Sequence, residues 1–464
     1  MPPVTSPTIT EEASDARGKT DRIPSVEPTE EVTVQVAELL DGRMLYHPIR
    51  NHEGALLLTA GAKITARFKD QLRSRGIQEV VLHVSDAGFS PPQSPRPLQP
   101  RSAPGVVAQS SADLAARLDE LVESGSKLAT NSEPPFKTRL VVHGRTGYDA
   151  EQHALLVKQQ TATCVILDEL LKAAQRGEPC SGDEIVAVVS RYLIQYCADA
   201  DCVLEVASQA HGLAAVAEQS LQTALLAMAT AIEMGLGEGG TRSIGLGGLL
   251  HAWGMTGIPE YIRNANRVLT QAEFKEVQKH PIHTLEMLQR VSGLPADVSL
   301  ICYQVREQPN GGGYPRGRRG EEIHIGARIL HVASAYVAMT SPRPFRLPLT
   351  AYAAVECLVR NAKDKAIDPE VVRSLLHVIS LFPIGSYVVL NDASTARVVR
   401  HNGPLFGNPL VQLVRFPDGS RIDTARETLL VDTATDDRKI VRAMPTPGRQ
   451  EIALRPDLMK LRRA

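Results

Sequence analysis

Helical periodicity runs through residues 147–382 and constrains the fold more than any other feature of the sequence. Apolar residues recur there at spacings of three and four, as at Leu221, Leu225, Met228 and Ile232. Segments with this period form helices whose apolar faces pack against one another. Within them, Thr270–Glu273 is a capping box that marks a helix start, and Pro281 predicts that this helix ends or kinks at Lys279–His280. The sequence therefore predicts a mainly α protein with an all-helical core.

Two smaller modules flank this core. Before it, strand patterns at residues 32–36 and 79–84 enclose a helical stretch at 65–75, which predicts a small α+β domain over residues 32–86. After it, short alternating strands are separated by Asn-Asp, Asn-Gly and Asp-Gly turns. This pattern predicts a small β-barrel-like subdomain over residues 383–437.

Composition predicts the nature of the remaining segments. Residues 1–31 are polar, acidic and punctuated by proline, so we expect a disordered tail. Residues 87–146 are predicted to be a Pro-rich linker that contains one isolated helix at 112–122. Residues 438–464 carry an excess of Lys and Arg and are predicted to be a basic C-terminal tail.

Charge and cysteine content argue against several classes of protein. The chain has 51 Lys and Arg against 52 Asp and Glu, and its net charge of -1 provides no general attraction to nucleic acid or anionic lipid. Aromatic residues make up 4% of the chain, too few for a base-stacking surface. The six cysteines have no repeating spacing, so we expect them to be reduced core residues. Without a signal peptide or a long apolar run, the sequence predicts a cytoplasmic protein with no membrane or nucleic-acid partner.

Three short segments carry a resemblance to a known family. They are His251-Ala252-Trp253-Gly254, Gly311-Gly312-Gly313-Tyr314-Pro315 and Arg343-Pro344-Phe345-Arg346. Together with His280-Pro281, their order and spacing resemble the HD-GYP family, helical metal-dependent phosphodiesterases of bacteria that linearise and hydrolyse cyclic di-GMP. The resemblance implies an HD-GYP-like fold for the helical core, and the modules before and behind it are similar to those often found beside such cores.

The resemblance also implies a site for two or three iron or manganese ions, but most of its ligand positions carry other side chains here. The implied positions are Gln219, His251, Ala252, His280, Val305, Arg306 and Ser334. Only His251 and His280 keep a side chain that ligates metal. Such ions need several imidazole and carboxylate ligands on one site, and the Arg306 guanidinium would repel a cation. We therefore expect no cofactor and a catalytically inactive protein.

A second hypothesis keeps the enzyme active. It is a cyclic di-GMP phosphodiesterase or other phosphohydrolase with a rearranged site that holds iron or manganese. His283, His324 and His331 lie near the implied site in the sequence and are the histidines available for such a rearrangement. Helical spacing alone is a weak signal for metal binding, so the sequence favours surface or core roles for these three histidines.

The loop at Gly313, Tyr314 and Pro315 is intact although the ligands are not. The resemblance places Arg343 and Arg346 beside the substrate pocket. With Arg316, they are the candidate phosphate contacts, because a guanidinium suits phosphate. The alternative is that Arg343 and Arg346 pair with Glu321 or Glu322 and hold the loop.

Three functional interpretations remain open. In the first, the inactive protein senses cyclic di-GMP or docks a signalling protein, such as a diguanylate cyclase, through the face that carries the GYP loop. In the second, it retains phosphodiesterase activity. In the third, it is a helical scaffold without a ligand. We also expect a homodimer, because helices of this class often pair side to side.

Overall fold

The computed structural model describes residues 31–36, 39, 48–52, 55–59, 62, 64–83, 111–124, 133–209, 215–343, 346–423 and 428–452. The chain divides into two compact units, residues 1–106 and 107–464. The predicted acidic tail up to residue 30, the Pro-rich stretch at 87–110 and the end of the basic tail from 453 lie outside the described residues. No helix within the described ranges is long and apolar enough to cross a membrane.

The first unit is a four-stranded antiparallel sheet with one helix, as the sequence predicts. Its elements are β1 (Glu31–Gln35), β2 (Ile49–Arg50), β3 (Leu56–Leu58), α1 (Ala66–Ser74) and β4 (Glu79–His83). The strand order is β1-β4-β2-β3. Thr65 caps α1, because its hydroxyl accepts a hydrogen bond from the Phe68 N–H at 3.2 Å. A small core of Ile49, Leu72 and Val80 holds the helix on the sheet.

The second unit is mainly helical, as predicted. Its helices are α2 (Ser111–Glu123), α3 (Ala150–Gln175), α4 (Gly182–Ser208), α5 (Ala215–Glu233), α6 (Glu238–Leu250), α7 (Glu260–Arg263), α8 (Gln271–Val277), α9 (His280–Leu288), α10 (Ala296–Gln304), α11 (Ile325–Thr340), α12 (Ala351–Lys363) and α13 (Pro369–Ile379). Short 3-10 turns lie at Phe136–Arg139, Trp253–Gly257 and Gly320–Glu322. The predicted capping box is present at the start of α8, and Pro281 lies in the first turn of α9, so the chain breaks where the sequence predicts.

The centre of this unit is α5, which packs against α4, α6, α11 and α13. Small residues bring α5 and α6 close together. A Cβ at Gly248 would lie 2.4 Å from the Cα of Ala224, and one at Gly245 would lie 2.7 Å from the sulfur of Met228. His251 follows the last residue of α6 and is buried in this core.

Helix α2 differs from the expectation of an isolated helix in a linker. It packs on α9 in the second unit. Its Ala115 and Leu118 are buried with Leu285, Leu300 and Tyr303. Helix α2 packs there because it is amphipathic and buries its apolar face. An isolated helix in a solvated linker would leave that face in water. The predicted linker over residues 87–146 therefore contains a helix that belongs to the second unit.

The C-terminal strands form one antiparallel sheet. They are β7 (Tyr387–Leu390), β8 (Thr395–Arg400), β9 (Leu410–Arg415), β10 (Leu430–Asp432) and β11 (Ile440–Met444), in the order β10-β9-β8-β7-β11; a two-residue parallel pair, β5 (Cys180–Ser181) and β6 (Val291–Ser292), lies apart from them. The two edge strands do not pair with each other, so the sheet is open and is not a closed barrel. Its inward side chains, such as Val388, Val398 and Val411, share the core of the helices.

The sheet extends past the predicted limit at residue 437. β11 lies in the segment predicted as a basic tail, and it pairs with β7. Without β11, the backbone groups along one edge of β7 would have no strand partner, and an unpaired edge of a core strand is unfavourable. Because residues 438–464 are rich in Lys and Arg, the sequence predicted a tail here and not a strand.

Candidate functional site

His251 and His280, the two remnant ligand positions, lie on elements that pack together. His251 follows α6, and His280 begins α9, which contacts the turn at Trp253–Gly257. Thr284 joins the two histidines, because its hydroxyl lies 3.1 Å from the carbonyl oxygen of His251 and 3.0 Å from that of His280. A Cβ at Gly254 would lie 2.1 Å from the His280 carbonyl oxygen, so a glycine is needed for this close approach. Both histidines are buried.

Arg306 follows α10, and its positive charge acts on His251 and His280. Its Nη1 lies 3.5 Å from the hydroxyl of Ser334 on α11. Burial, followed by the charge of this guanidinium, lowers the pKa of His251 to about 4, that of His280 to about 3 and that of His331 to about 4. The three imidazoles are therefore neutral at pH 7, and Arg306 supplies positive charge at this place.

A backbone carbonyl oxygen holds each imidazole through Nδ1. The distances are 2.9 Å from His251 to Gly248, 2.8 Å from His280 to Val277 and 2.9 Å from His331 to Glu307. A carbonyl oxygen only accepts, so Nδ1 carries the proton and Nε2 keeps a lone pair. The Nε2 atom of His280 is buried and has no hydrogen-bond partner in the part of the chain that the structure describes.

These side chains do not fit an iron or manganese site. Ions of this kind prefer carboxylates together with imidazoles, but Ala252 and Ser334 stand at the implied carboxylate positions. Over the described ranges, no group of three or more His, Cys, Asp or Glu side chains is placed to hold a metal ion. The guanidinium of Arg306 further opposes a cation at this place.

The two other histidines near the site have different partners. His324 caps α11, because its Nδ1 accepts a hydrogen bond from the Gly326 N–H at 3.1 Å. The Nδ1 of His283 lies 3.2 Å from a carboxylate oxygen of Glu286 on the same helix. Both contacts match the surface and structural roles that the sequence favours. His331 is the one that lies beside Arg306.

The loop at Gly313, Tyr314 and Pro315 is tied to the end of α10. The carboxylate of Glu307 accepts hydrogen bonds from the backbone N–H of Arg316 at 2.7 Å and from that of Arg318 at 2.9 Å. A Cβ at Gly313 would lie 2.3 Å from the backbone nitrogen of Gln308, so this glycine is needed for space. The ring of Tyr314 meets that of His280 edge to face, with 5.8 Å between centroids. The loop therefore covers the remnant histidine.

Asp119 of α2 binds the arginines of this loop. Its carboxylate accepts hydrogen bonds from Arg316 Nε at 2.8 Å, from Arg318 Nη2 at 2.6 Å and from the Tyr303 hydroxyl at 3.1 Å. Arg316, a candidate phosphate contact, thus has an internal carboxylate partner. This arrangement makes α2 a support for the loop.

Arg343 and Arg346 have different environments. The Arg346 guanidinium donates to the carbonyl oxygens of Ala338 at 2.7 Å and Met339 at 3.1 Å, so it caps the end of α11. Glu322, its alternative partner, accepts a hydrogen bond from the Arg319 N–H instead. Arg343 is exposed as a whole residue, but partial burial of its guanidinium, followed by the charges of Arg306 and Arg346, lowers its pKa. Arg316 is exposed too but pairs with Asp119, whereas Arg343 is exposed and forms no ion pair among the described residues.

Sequence reasoning missed the supporting role of Asp119 and Glu307. The apolar spacing of Leu114, Ala115 and Leu118 in α2 was a usable signal, because it shows a helix face that needs a partner. No local pattern identifies which carboxylate would meet the loop arginines.

We predict that Asp119→Asn loosens the loop. The change removes the charge that pairs with the buried Arg318 guanidinium, and a hydrogen bond to a charged group contributes about 2 kcal/mol. We expect a loss of about that size in the free energy of unfolding, with faster amide exchange over residues 309–320. Glu120→Gln, on the exposed side of the same helix, is the control and should change neither quantity. Equal amide exchange rates over residues 309–320 in Asp119→Asn and Glu120→Gln would contradict the role of Asp119 in supporting the loop.

Comparison with known proteins identifies the class of this domain. Residues 206–371 match the family model described as an HD domain. The chain is 31% identical over 227 residues to the cyclic di-GMP phosphodiesterase PA4108 of Pseudomonas aeruginosa, covering 49% of this chain and 54% of that protein. It is 32% identical over 180 residues to the cyclic di-GMP phosphodiesterase PdeB of Borreliella burgdorferi, covering 39% and 47%.

These relatives confirm the resemblance to the HD-GYP cyclic di-GMP phosphodiesterases. The chain spans about half the length of the curated relatives it matches. Among solved structures, it matches Bd1817, an HDG"Y"P protein from Bdellovibrio bacteriovorus, with a TM-score of 0.39 and 14% identity over 74% of this chain and 98% of that one.

Proposed function

We propose that this protein is a catalytically inactive HD-GYP-type protein that acts in bacterial cyclic di-GMP signalling as a regulatory or binding module. One observation carries the proposal: a guanidinium, that of Arg306, lies beside Ser334 and acts on His251 and His280, where a metal-dependent enzyme needs cations and carboxylates. Metal-dependent phosphodiester hydrolysis requires an ion that activates water. The ligands present do not suit such an ion.

The module works by nucleotide sensing or by partner docking. The intact loop around Tyr314 and its support by Glu307 and Asp119 favour retention of a binding face. The ligand proposed for this face is cyclic di-GMP, on which the named relatives act. A diguanylate cyclase or another signalling protein is the proposed docking partner, and we propose a cytoplasmic homodimer as the working form.

We predict that purified protein binds cyclic di-GMP without converting it to linear product. Calorimetric titration should show saturable binding, and chromatography of the same sample with added Mn²⁺ or Fe²⁺ should recover the nucleotide intact. The active relative from Pseudomonas aeruginosa serves as the positive control for turnover. Linear product in proportion to the protein's own metal content, measured by elemental mass spectrometry, would contradict the proposal.

The alternative is an active phosphodiesterase or other phosphohydrolase with a rearranged site. It rests on His331, which adds a third neutral imidazole beside Arg306. Iron or manganese would then be held by imidazoles alone. The turnover experiment separates the two functions, because this alternative requires a linear product and the first excludes it.

A further inference from the structure

Among the described residues, Arg306 is a cation without a carboxylate partner. Its Nη1 lies 3.5 Å from the neutral hydroxyl of Ser334, and it forms no ion pair with any residue in the ranges that the structure describes. Other arginines nearby do have carboxylates: Arg318 pairs with Asp119 at 2.6 Å, and Arg328 pairs with Asp368 at 2.8 Å. Because Arg306 is half-buried, its charge is partly removed from water without compensation.

Arg343 is a second cation that adds to the unbalanced positive charge of Arg306. Arg343 is exposed as a whole residue and forms no ion pair among the described residues, and burial of its guanidinium together with the positive charges of Arg306 and Arg346 disfavours its charged form. Two guanidinium groups repel each other, and an anion between them relieves this repulsion. Planar guanidinium groups match the oxygens of phosphate, to which they donate two parallel hydrogen bonds.

The surrounding imidazoles offer acceptor atoms. The Nδ1 atoms of His251, His280 and His331 lie 2.9, 2.8 and 2.9 Å from backbone carbonyl oxygens, so Nδ1 carries the proton and Nε2 keeps a lone pair. The buried Nε2 of His280 has no hydrogen-bond partner among the described residues, and its lone pair accepts a hydrogen bond from a hydroxyl group. A ligand that fits therefore carries an oxyanion for Arg306 and a neighbouring hydroxyl for His280.

We propose that Arg306 and Arg343 form a metal-independent site for a phosphoryl group, with the Arg306 guanidinium supplying the positive charge that metal ions supply in a metal-dependent site. The ligand class is a phosphate ester that also bears a hydroxyl, such as a nucleotide phosphodiester. This inference rests on the proposed function, because it assigns the phosphate contact within the same pocket. It goes further in predicting that binding needs no metal.

The test uses the full chain in EDTA, with cyclic di-GMP as one probe and inorganic phosphate as the other. We expect calorimetric binding of the dinucleotide to be unchanged by EDTA and weakened by competing phosphate. Arg306→Gln should weaken it by about tenfold or more, because it removes the charge-assisted contact while keeping a polar side chain. Arg343→Gln should weaken it by about threefold, since that arginine is exposed. Arg438→Gln, which changes a partly buried arginine of the C-terminal sheet region that pairs with Asp436, is the control and should have no effect.

Folding of Arg306→Gln is checked by thermal unfolding, and we expect no loss of stability, because an uncompensated cation is removed. Equal affinity of Arg306→Gln and the unchanged protein in EDTA would overturn the inference and leave the proposed function standing. Phosphate binding that depends on Arg306, with no binding of cyclic di-GMP, would support the phosphoryl site and overturn nucleotide sensing. Binding that requires added Mn²⁺, or the absence of binding for both probes, would overturn the inference.

Discussion

Arg400→Met is expected to lower the free energy of unfolding of the second unit by about 3–5 kcal/mol, since it leaves the buried carboxylate of Asp199 without its arginine partner. Arg400 is only 3% exposed. Its guanidinium binds Asp199 at 2.9 and 2.8 Å and approaches Asp201 at 3.4 Å. Its Nε donates to the carbonyl oxygen of Thr146 at 2.6 Å. Denaturant unfolding followed by circular dichroism measures the loss.

The position of Asp199 explains why this pair matters to the fold. Asp199 has a non-helical backbone conformation inside α4, where the helix kinks, and its carboxylate accepts a hydrogen bond from the Cys202 N–H at 3.1 Å. Arg400 lies on β8, so the ion pair joins the kinked helix to the C-terminal sheet. We expect the sheet and the helical core to loosen together when Arg400 is removed.

A matched control is Arg438→Met. Arg438 pairs with Asp436 near the surface, and an exposed pair contributes less than about 1 kcal/mol. A double variant, Arg400→Met with Asp199→Asn, should recover part of the lost stability, because the buried charge that lost its partner is then removed and Asp201 keeps His401. A loss in Arg400→Met no greater than that of the control would show that the network contributes little.

Local patterns predict most of the fold. Periodicity located the helical core, the capping box located α8, and strand alternation located β7, β8 and β9. All six cysteines are free, as expected from their scattered spacing. These features depend on residues close together in sequence, for which spacing and turn chemistry are sufficient evidence.

Contacts between distant residues could not be predicted in the same way. Asp119 meets Arg318 across 199 positions, and Asp199 meets Arg400 across 201. A single carboxylate in a helix has no pattern that identifies a distant arginine, because the pairing depends on how the helices pack. The resemblance did indicate that Arg306 falls at a ligand position, but its missing ion partner became visible only in three dimensions.

Acidification is expected to destabilise the second unit between about pH 6.5 and pH 4. His251, His280 and His331 have folded-state pKa values of about 4, 3 and 4, whereas an unfolded histidine has a pKa of about 6.5. The unfolded chain therefore binds these protons first as the pH falls, and folded stability declines with it. Each histidine contributes a slope of about 1.4 kcal/mol per pH unit in this window, and the loss per histidine reaches about 3 kcal/mol at pH 4. His401 opposes this trend: burial lowers its pKa, but Asp201 outweighs burial and leaves the pKa raised.

Variants identify the source of this acid sensitivity. Arg306→Gln should flatten the slope of unfolding free energy against pH, because the guanidinium helps lower all three pKa values. His280→Gln should remove one histidine's share of the slope. Urea unfolding at half-unit steps from pH 7 to pH 4.5 gives the slopes, and NMR titration of the imidazoles follows the pKa values directly. If Arg306→Gln left both the slope and these pKa values unchanged, Arg306 could not be the cation that acts on the three imidazoles, and the phosphoryl site inferred from its charge would lose its physical basis.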